Sequence, residues 1–314
     1  MNSENNASEK EIGEFREMAR HLTAHHFGSK PGRIIFKSSG LTNFVFAVKH
    51  SEGDYIIRIS PDATKINAFI KEQWAESAAR EVGVPTAEIL EVGNEVVPHP
   101  YMIVREIKGE EATNHLNRLN VVREIGRYAA LINSIPTSGF GNTFDWSSNL
   151  LSRNETFAEY LQNALQVEAK LQTLEKYKMI SAEKIKKLQK IFKEAMKLEP
   201  KPALNHSDMR LKNMIVNEKG EIKAVIDWEN CTSNIAPQWE LSIALHDLGI
   251  DEKQMFLESY GISEKKLAEI SPLIKAFNII NYTPTIEEMA QNKDKSGLEQ
   301  YRTRLGGTLD LYSL

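Results

Sequence analysis

The chain reads His206-Ser207-Asp208-Met209-Arg210-Leu211-Lys212-Asn213 and, further on, Val225-Ile226-Asp227-Trp228-Glu229. Between these stretches, apolar runs at 214–216 and 222–226 flank a polar turn at 217–220. Two short apolar runs around a turn that ends in glycine predict a β-hairpin. Polar residues stand just before its first strand and just after its second. The hairpin is therefore expected to bring these polar groups together.

Three of these polar side chains suit phosphoryl transfer, which needs positioning and charge neutralisation more than covalent chemistry. Asp208 is expected to accept a hydrogen bond from an acceptor hydroxyl group. Asn213 and Asp227 are expected to give oxygen ligands to Mg²⁺, a cation held by few protein ligands together with phosphates and water. His206 is expected to brace the loop. The alternative is an ordinary hairpin, because Asp and Asn are common turn residues.

The motif resembles that of the aminoglycoside phosphotransferase family, which includes aminoglycoside, choline and homoserine-type small-molecule kinases. Its members typically read His-Gly-Asp-x-x-x-x-Asn and then Ile-Asp-Trp-Glu, and this chain has Ser207 where Gly is usual. Trp228 separates it from protein kinases, which place Phe-Gly after the metal-binding Asp. The resemblance covers most of residues 33–250. It implies an α+β, protein-kinase-like two-lobed fold, with a small antiparallel-sheet N-lobe and a larger, mainly helical C-lobe.

Composition describes an ordinary globular chain of 314 residues, with 41% hydrophobic residues, 26% charged residues and a net charge of −4. A chain with this net charge lacks the overall positive charge that is typical of nucleic-acid-binding proteins, so a nucleic-acid partner is not expected. We see no signal peptide and no apolar run near the ~20 residues that cross a bilayer, so no membrane partner is expected either. The cytoplasm, where ATP is available, is the expected location.

The order of elements predicted before Gly109 is that of a kinase small lobe. An amphipathic helix is predicted at 11–27, strands at 34–36, 44–48, 55–59, 88–92 and 101–107, and a helix at 66–82. Helices are predicted at 121–134, 155–177 and 182–198 and over most of 237–314, with loops near Pro272, Pro284 and 293–297. We expect a nucleotide-binding N-lobe at 1–107 and a catalytic, acceptor-binding C-lobe at 108–314, with a helical insert at about 145–200.

The loop between the first two strands carries Ser39, Gly40 and Asn43. Glycine among small hydroxyl residues lets backbone N–H groups approach phosphate oxygens, although a simple hairpin turn is the alternative. Members of the resembled family tend to have one or two glycines followed by Asn here. The resemblance also implies that the backbone of Glu106 and Ile107, at the end of the fifth strand, contacts adenine.

Arg58 lies on the third strand, where a kinase lysine pairs with the α- and β-phosphates. Arginine is common there in the resembled family and can bind phosphate bidentately. Its expected partner is Glu72, eleven residues before Gly83, with Glu76 one helical turn further as the rival. The alternative for Arg58 is a surface charge on an edge strand.

Arg210 lies two residues after Asp208, and we hypothesise that it stabilises the transferring phosphoryl group. The alternative is a loop arginine that faces solvent.

Acceptor recognition is predicted on three residues. Asp145 begins the helical insert, Trp239 lines the acceptor cleft or belongs to the core, and Asp247 binds an amino group or is simply solvated. Glu240 replaces an Asp that is usual in the resembled family and is expected to be structural.

The leading hypothesis is a phosphotransferase that uses ATP and Mg²⁺ and moves the γ-phosphate to a hydroxyl of a small molecule. Candidate acceptors are an aminoglycoside, another sugar or an amino alcohol. The alternatives are a protein kinase, against which the missing Gly-rich pattern weighs, and a nucleotide-binding pseudokinase scaffold. Asp208, Asn213 and Asp227 together weigh against the scaffold. Acceptor identity, ATP or GTP preference and oligomeric state stay open.

Overall fold

The computed structural model describes residues 8–37, 43–148 and 153–308. Its strands are β1 (Arg33–Lys37), β2 (Phe44–His50), β3 (Gly53–Ile59), β4 (Ile89–Gly93), β5 (Tyr101–Arg105), β6 (Glu110–Glu111), β7 (Pro202–Asn205), β8 (Met214–Val216), β9 (Ile222–Val225) and β10 (Thr232–Ile235). Its helices are α1 (Glu9–Phe27), α2 (Ile66–Glu81), α3 (Arg118–Asn133), α4 (Phe157–Glu159), α5 (Val167–Lys176), α6 (Ala182–Ala195), α7 (Gln238–Ala244), α8 (Ile250–Tyr260), α9 (Glu264–Asn281), α10 (Thr283–Gln291) and α11 (Lys295–Thr308).

The chain forms two compact units. The sheet unit runs up to His115 and includes Lys212–Glu229, while the helical unit contains Leu116–Leu211 and the residues from Asn230 onward. The hairpin of β8 and β9 thus has its contacts in the sheet unit, although it comes late in the sequence. The α+β class expected from the sequence is confirmed, with an antiparallel sheet in the N-terminal part and helices in the C-terminal part.

The sheet unit is built on five antiparallel strands in the order β1-β2-β3-β5-β4. Side chains alternate between its two faces, as strand geometry requires. One face carries Phe46, Ile57 and Ile103, which are fully buried and pack with α1 in one apolar cluster. Phe15 of α1 stacks on Phe44 with ring centroids 3.8 Å apart. Burial of each such side chain contributes roughly 1.5–3 kcal/mol, which keeps the sheet in one register.

The helical unit contains two features that the sequence pattern did not predict. Strands β7 and β10 pair antiparallel although β10 is polar, because its buried side chains find partners: the Asn234 amide donates to the Tyr160 hydroxyl oxygen at 2.9 Å. The prediction of a single helix at 155–177 is wrong. A π-helical turn at Tyr160–Ala164 and a left-handed Gln166, with φ of 53°, separate α4 from α5.

The prediction of a loop near Pro272 is also wrong, while the break predicted near Pro284 is present as a turn at Tyr282 between α9 and α10. Pro272 lies inside α9, where it removes the backbone donor for the Ala268 carbonyl, and the Ser271 hydroxyl donates to that carbonyl at 3.3 Å instead. Pro284 lies in the first turn of α10, where proline is tolerated. Within the described ranges, no helix has the length and apolar character needed to cross a bilayer.

Gly126 provides a test of the packing between α3 and α8. A Cβ atom at this position would lie 2.3 Å from the Phe256 carbonyl oxygen and 2.4 Å from the Ser259 hydroxyl oxygen. We therefore expect Gly126→Ala to lower the free energy of unfolding by about 1–3 kcal/mol, measured by urea denaturation. Gly13→Ala in α1 is the matched control, because nothing lies within 4 Å of its added Cβ. The control is expected to stabilise by about 0.5–1 kcal/mol. Equal stability of both variants would contradict the close packing.

Candidate active site

The hairpin of β8 and β9 brings Asn213 and Asp227 to one end. Met214 pairs with Val225, and the Ile226 N–H donates to the Asn213 carbonyl at 2.9 Å. Asp227 has a φ of 67°, in the left-handed region that Asp tolerates better than most residues. Both residues line one cavity of about 440 Å³ in the sheet unit. Each carries a hard side-chain oxygen, and two such residues at one cavity suit Mg²⁺.

The second face of the five-stranded sheet forms an apolar wall of this cavity. Val45, Ile56, Met102 and Val104 alternate with the residues that face α1. Arg58 projects from the same face into the same cavity. An apolar wall with a few polar groups is the usual construction of a small-molecule or cofactor site.

Arg58 is held by Glu72 of α2 through two contacts, Nη1 to Oε2 at 2.6 Å and Nη2 to Oε1 at 3.4 Å. The Glu72 side chain is only 1% exposed, and the Arg58 guanidinium also lies over the Phe69 ring at 5.2 Å. Burial, the largest single cause, lowers the pKa of Arg58, but the Glu72 carboxylate together with the charges of Glu229 and Asp227 more than reverses that effect, so the net pKa is raised. Arg58 is therefore a fixed cation on the cavity wall rather than a surface charge, and Glu72, not Glu76, is its partner.

A lysine that sequence reasoning did not single out adds a second tie to α2. The ammonium group of Lys71 donates to the Glu229 carbonyl at 2.8 Å and is 4% exposed. This contact joins the helix that carries Glu72 to the segment that follows Asp227. A lysine in a helix gives no sequence signal for such a role, because its backbone partner lies 158 residues away.

The end of β5 partly restricts the predicted adenine contacts. The Glu106 N–H donates to the Asp54 carbonyl at 2.9 Å, and the Glu106 carboxylate contacts the Lys49 ammonium at 2.8 Å. The Glu106 N–H is thus committed to the sheet, which leaves its carbonyl and the backbone of Ile107 as the candidate base contacts. Ile107 lines the cavity. Asn43 precedes β2 and is buried, while Ser39 and Gly40 lie outside the described residues.

In the helical unit, Asp208 is 5% exposed and contacts Arg210. The Arg210 Nε lies 2.7 Å from Asp208 Oδ1, and Arg210 Nη1 lies 3.3 Å from Asp247 Oδ2. Arg210 is therefore bound between two carboxylates beside the predicted catalytic group and does not simply face solvent.

The loop that carries Asp208 is fixed by α7. The His206 and Ser207 N–H groups donate to Glu240 Oε2 at 2.7 and 3.3 Å. Ser207 has a φ of 64°, a conformation that explains why glycine is usual here, and the Trp239 indole N–H donates to its hydroxyl at 3.0 Å. Burial, the largest cause, raises the pKa of Glu240 to about 7 although both N–H groups oppose it. The expectation that Glu240 is structural agrees with these contacts.

The three predicted acceptor residues have different surroundings. Trp239 is buried and packs edge-on against Phe277, 5.2 Å between ring centroids, so it belongs to the core and does not suit substrate contact. The Asp145 carboxylate accepts from the Ser138 N–H at 3.0 Å and stabilises its own loop. Asp247 contacts His246 Nδ1 at 2.7 Å, and this contact leads the causes that lower its pKa to about 2.

A family model described as the phosphotransferase enzyme family matches residues 33–272. The chain belongs to this family. It is accordingly a phosphotransferase of the small-molecule kinase type, which acts on an alcohol group, and the resemblance found in the sequence is confirmed. No curated protein matches the phosphotransferase.

Solved structures with the same fold include three of known or suggested kinase function. A thermostable mutant of APH(4)-Ia, in a ternary complex with ADP and hygromycin B, shares 16% identity over 93% of this chain and 98% of its own, with a TM-score of 0.66. A putative fructosamine-3-kinase from Haemophilus somnus 129PT shares 14% identity over 93% and 96%, with a TM-score of 0.61. APH(2")-IIia, in a complex with GDP and kanamycin, shares 13% identity over 93% and 97%, with a TM-score of 0.63. At these identities the likeness shows the fold.

The phosphotransferase has a further cavity of about 550 Å³ between α6 and α9 in the helical unit. None of the predicted site residues lines it, and its wall combines lysines and glutamates with apolar side chains such as Leu198 and Pro272. The predicted residues Arg58, Asn213 and Asp227 instead line the cavity of about 440 Å³ in the sheet unit.

The pair of Arg58 and Glu72 predicts a measurable coupling. Glu72→Ala leaves a half-buried guanidinium without its counter-ion and is expected to lower the free energy of unfolding by roughly 3 kcal/mol. In the double variant Arg58→Ala with Glu72→Ala, the decrease in the free energy of unfolding is expected to be smaller than the sum of the two single-variant decreases, by at least about 1 kcal/mol. Urea denaturation of the four proteins measures this, with exposed Glu81→Ala on the same helix as control. Additive losses would show that the pair contributes nothing as a pair.

Proposed function

We propose that the phosphotransferase moves the γ-phosphate of ATP to a hydroxyl group of a small molecule, with the help of Mg²⁺. The observation that carries the proposal is the single cavity in which the anchored Arg58 guanidinium and the Asn213 and Asp227 oxygens face an apolar wall. A purine fits the apolar wall, a phosphate chain fits the cation, and the two oxygen donors fit a divalent metal.

In this proposal, Arg58 binds the α- and β-phosphates and Glu72 keeps its guanidinium in place. Asn213 and Asp227 hold Mg²⁺, which neutralises charge on the phosphates when it is bound. The Glu106 carbonyl and the Ile107 backbone bind the base. Asn43, at the start of β2, and the loop residues Ser39 and Gly40 are proposed to contact the phosphates.

Asp208 is proposed to accept a hydrogen bond from the hydroxyl group of the acceptor and to orient that oxygen for attack on the γ-phosphate. The hydrogen bonds from the His206 and Ser207 N–H groups to Glu240 hold the loop that positions it. Positioning of this kind is the main protein contribution to phosphoryl transfer. Arg210, 2.7 Å from Asp208, is proposed to stabilise negative charge on the transferring group.

The acceptor class is proposed from chemistry and from the fold relatives. APH(4)-Ia and APH(2")-IIia were solved with hygromycin B and kanamycin. For this chain, an aminoglycoside, another sugar or an amino alcohol supplies the required hydroxyl group. Asp247 is a weaker candidate for binding an amino group, because Arg210 and Arg304 already lie 3.3 and 3.7 Å from its carboxylate. The use of ATP suits a cytoplasmic enzyme.

The proposal is tested by measuring ADP release from Mg·ATP in the presence of each member of a broad panel of hydroxylated small molecules. We expect acceptor-stimulated release by the wild-type protein and a loss of about 10²-fold or more in kcat for Asp208→Asn, because the amide accepts the hydroxyl proton poorly. ADP binding should be retained by the variant. Wild-type protein that binds ATP but releases no ADP with any acceptor would favour the pseudokinase scaffold, and absence of ATP binding would refute the nucleotide site.

Arg210→Ala tests the role of the second catalytic candidate. We expect kcat to fall by about 10–10²-fold with little change in the KM for ATP, because the lost charge acts on the transferring group. Arg210→Lys should restore part of kcat, and Lys212→Ala, an exposed cation on the same loop, is the control. A turnover number for Arg210→Ala within about twofold of wild type would contradict the role.

A further inference from the structure

Glu76 is a buried acid in the nucleotide cavity that the proposed mechanism does not use. It lies on α2 one helical turn beyond Glu72, lines the same cavity and is 6% exposed. Among the described residues, its Oε2 atom has no hydrogen-bond partner. Because Glu72 occupies the Arg58 guanidinium, Glu76 is not the counter-ion that its position first suggests.

The charges around Glu76 favour its neutral form near pH 7. Burial is the largest cause that raises its pKa, to about 8, and the negative charge of Glu72 adds to it. Arg58 on β3 and Arg80 on α2 oppose the rise without cancelling it. The other charged groups that line the cavity are Lys37, Arg105, Glu106 and Asp227.

A neutral carboxyl group offers an O–H donor beside a carbonyl acceptor. A buried polar atom without a partner is costly, so a cavity wall that contains one is completed by a ligand or a water that supplies the partner. Within a nucleotide, the phosphate oxygens only accept, and Arg58 and the proposed metal ligands suit them, while each ribose hydroxyl is a single oxygen that must serve as both donor and acceptor. Adenine instead presents its amino N–H beside an acceptor ring nitrogen, which matches the donor and acceptor of the neutral acid.

We propose that Glu76 hydrogen-bonds the adenine base as a neutral acid and thereby determines the purine specificity of the nucleotide site. The inference rests on the proposed function, because it requires that this cavity hold the nucleotide. Ionisation of Glu76 removes the donor that the adenine ring nitrogen needs. Guanine presents two adjacent N–H donors, which an ionised carboxylate accepts. The preference for adenine over guanine should therefore fall as the pH rises through the titration of Glu76.

The test measures Kd by calorimetry for adenosine, guanosine and ADP, with adenosine reporting the base without phosphates. We expect Glu76→Leu to raise the Kd for adenosine and the Kd for ADP by a similar factor, about tenfold, because both ligands lose the same base contact. Glu76→Gln keeps a donor beside an acceptor and should bind adenosine within about threefold of wild type at pH 7. Glu81→Gln, an exposed change on the same helix, is the control and should match wild type.

The pH profile gives the second readout. Wild-type affinity for adenosine should be constant below about pH 7 and should fall by up to about tenfold per pH unit above about pH 8, since only the protonated acid binds it well. Glu76→Gln cannot ionise and should show no such fall. This comparison decides the question even if Glu76→Leu fails to fold.

Two results would overturn the inference alone: adenosine binding by folded Glu76→Leu within about twofold of wild type, or a pH dependence of Glu76→Gln equal to that of wild type. In both cases wild-type protein still binds ADP, so the proposed function stands. Wild-type protein that binds neither ADP nor adenosine would refute the nucleotide site itself, and with it both proposals.

Discussion

The ion pair of Arg58 and Glu72 is the interaction that holds a cation on the wall of the sheet-unit cavity. It fixes a charge on the open face of the sheet and joins β3 to α2, while Lys71 joins the same helix to the Glu229 backbone. A guanidinium alone on an apolar wall would be costly to bury. The carboxylate that offsets this cost also sets where the cation lies, so one ion pair both stabilises the sheet unit and positions the proposed phosphate-binding group.

Three buried glutamates in this structure have different contacts, although the side chain is the same. Glu72 faces a guanidinium at hydrogen-bond distance and serves as a counter-ion. Glu240 lies fully buried and accepts two backbone N–H groups, which orders the loop before Asp208. Glu76 is buried beside another acid and lines the cavity as a neutral group. Burial is the largest cause of a raised pKa in all three, and what distinguishes them is the group that each one contacts.

The sequence predicted those parts of the site that depend on local pattern. The hairpin and the strand that carries Arg58 follow from short apolar runs, whereas the choice of Glu72 over Glu76 came from the offset that is usual in the resembled family. The pairing of β7 with β10, the π-helical turn at Tyr160–Ala164 and the hydrogen bond from Trp239 to Ser207 could not be read in the same way. They arise from contacts between residues far apart in sequence, and polar strands carry no alternation to reveal them.

The hydroxyl group of Ser207 contacts two other buried side chains. The left-handed backbone of Ser207 would be relaxed by glycine, but glycine would also remove the hydroxyl that receives the Trp239 indole N–H and lies 3.3 Å from the Thr232 hydroxyl. A buried indole donor without an acceptor is itself unfavourable. The side chains at 207 and 239 are therefore coupled through this hydrogen bond, and replacing Ser207 by glycine would relax the backbone but leave the buried indole donor without its acceptor.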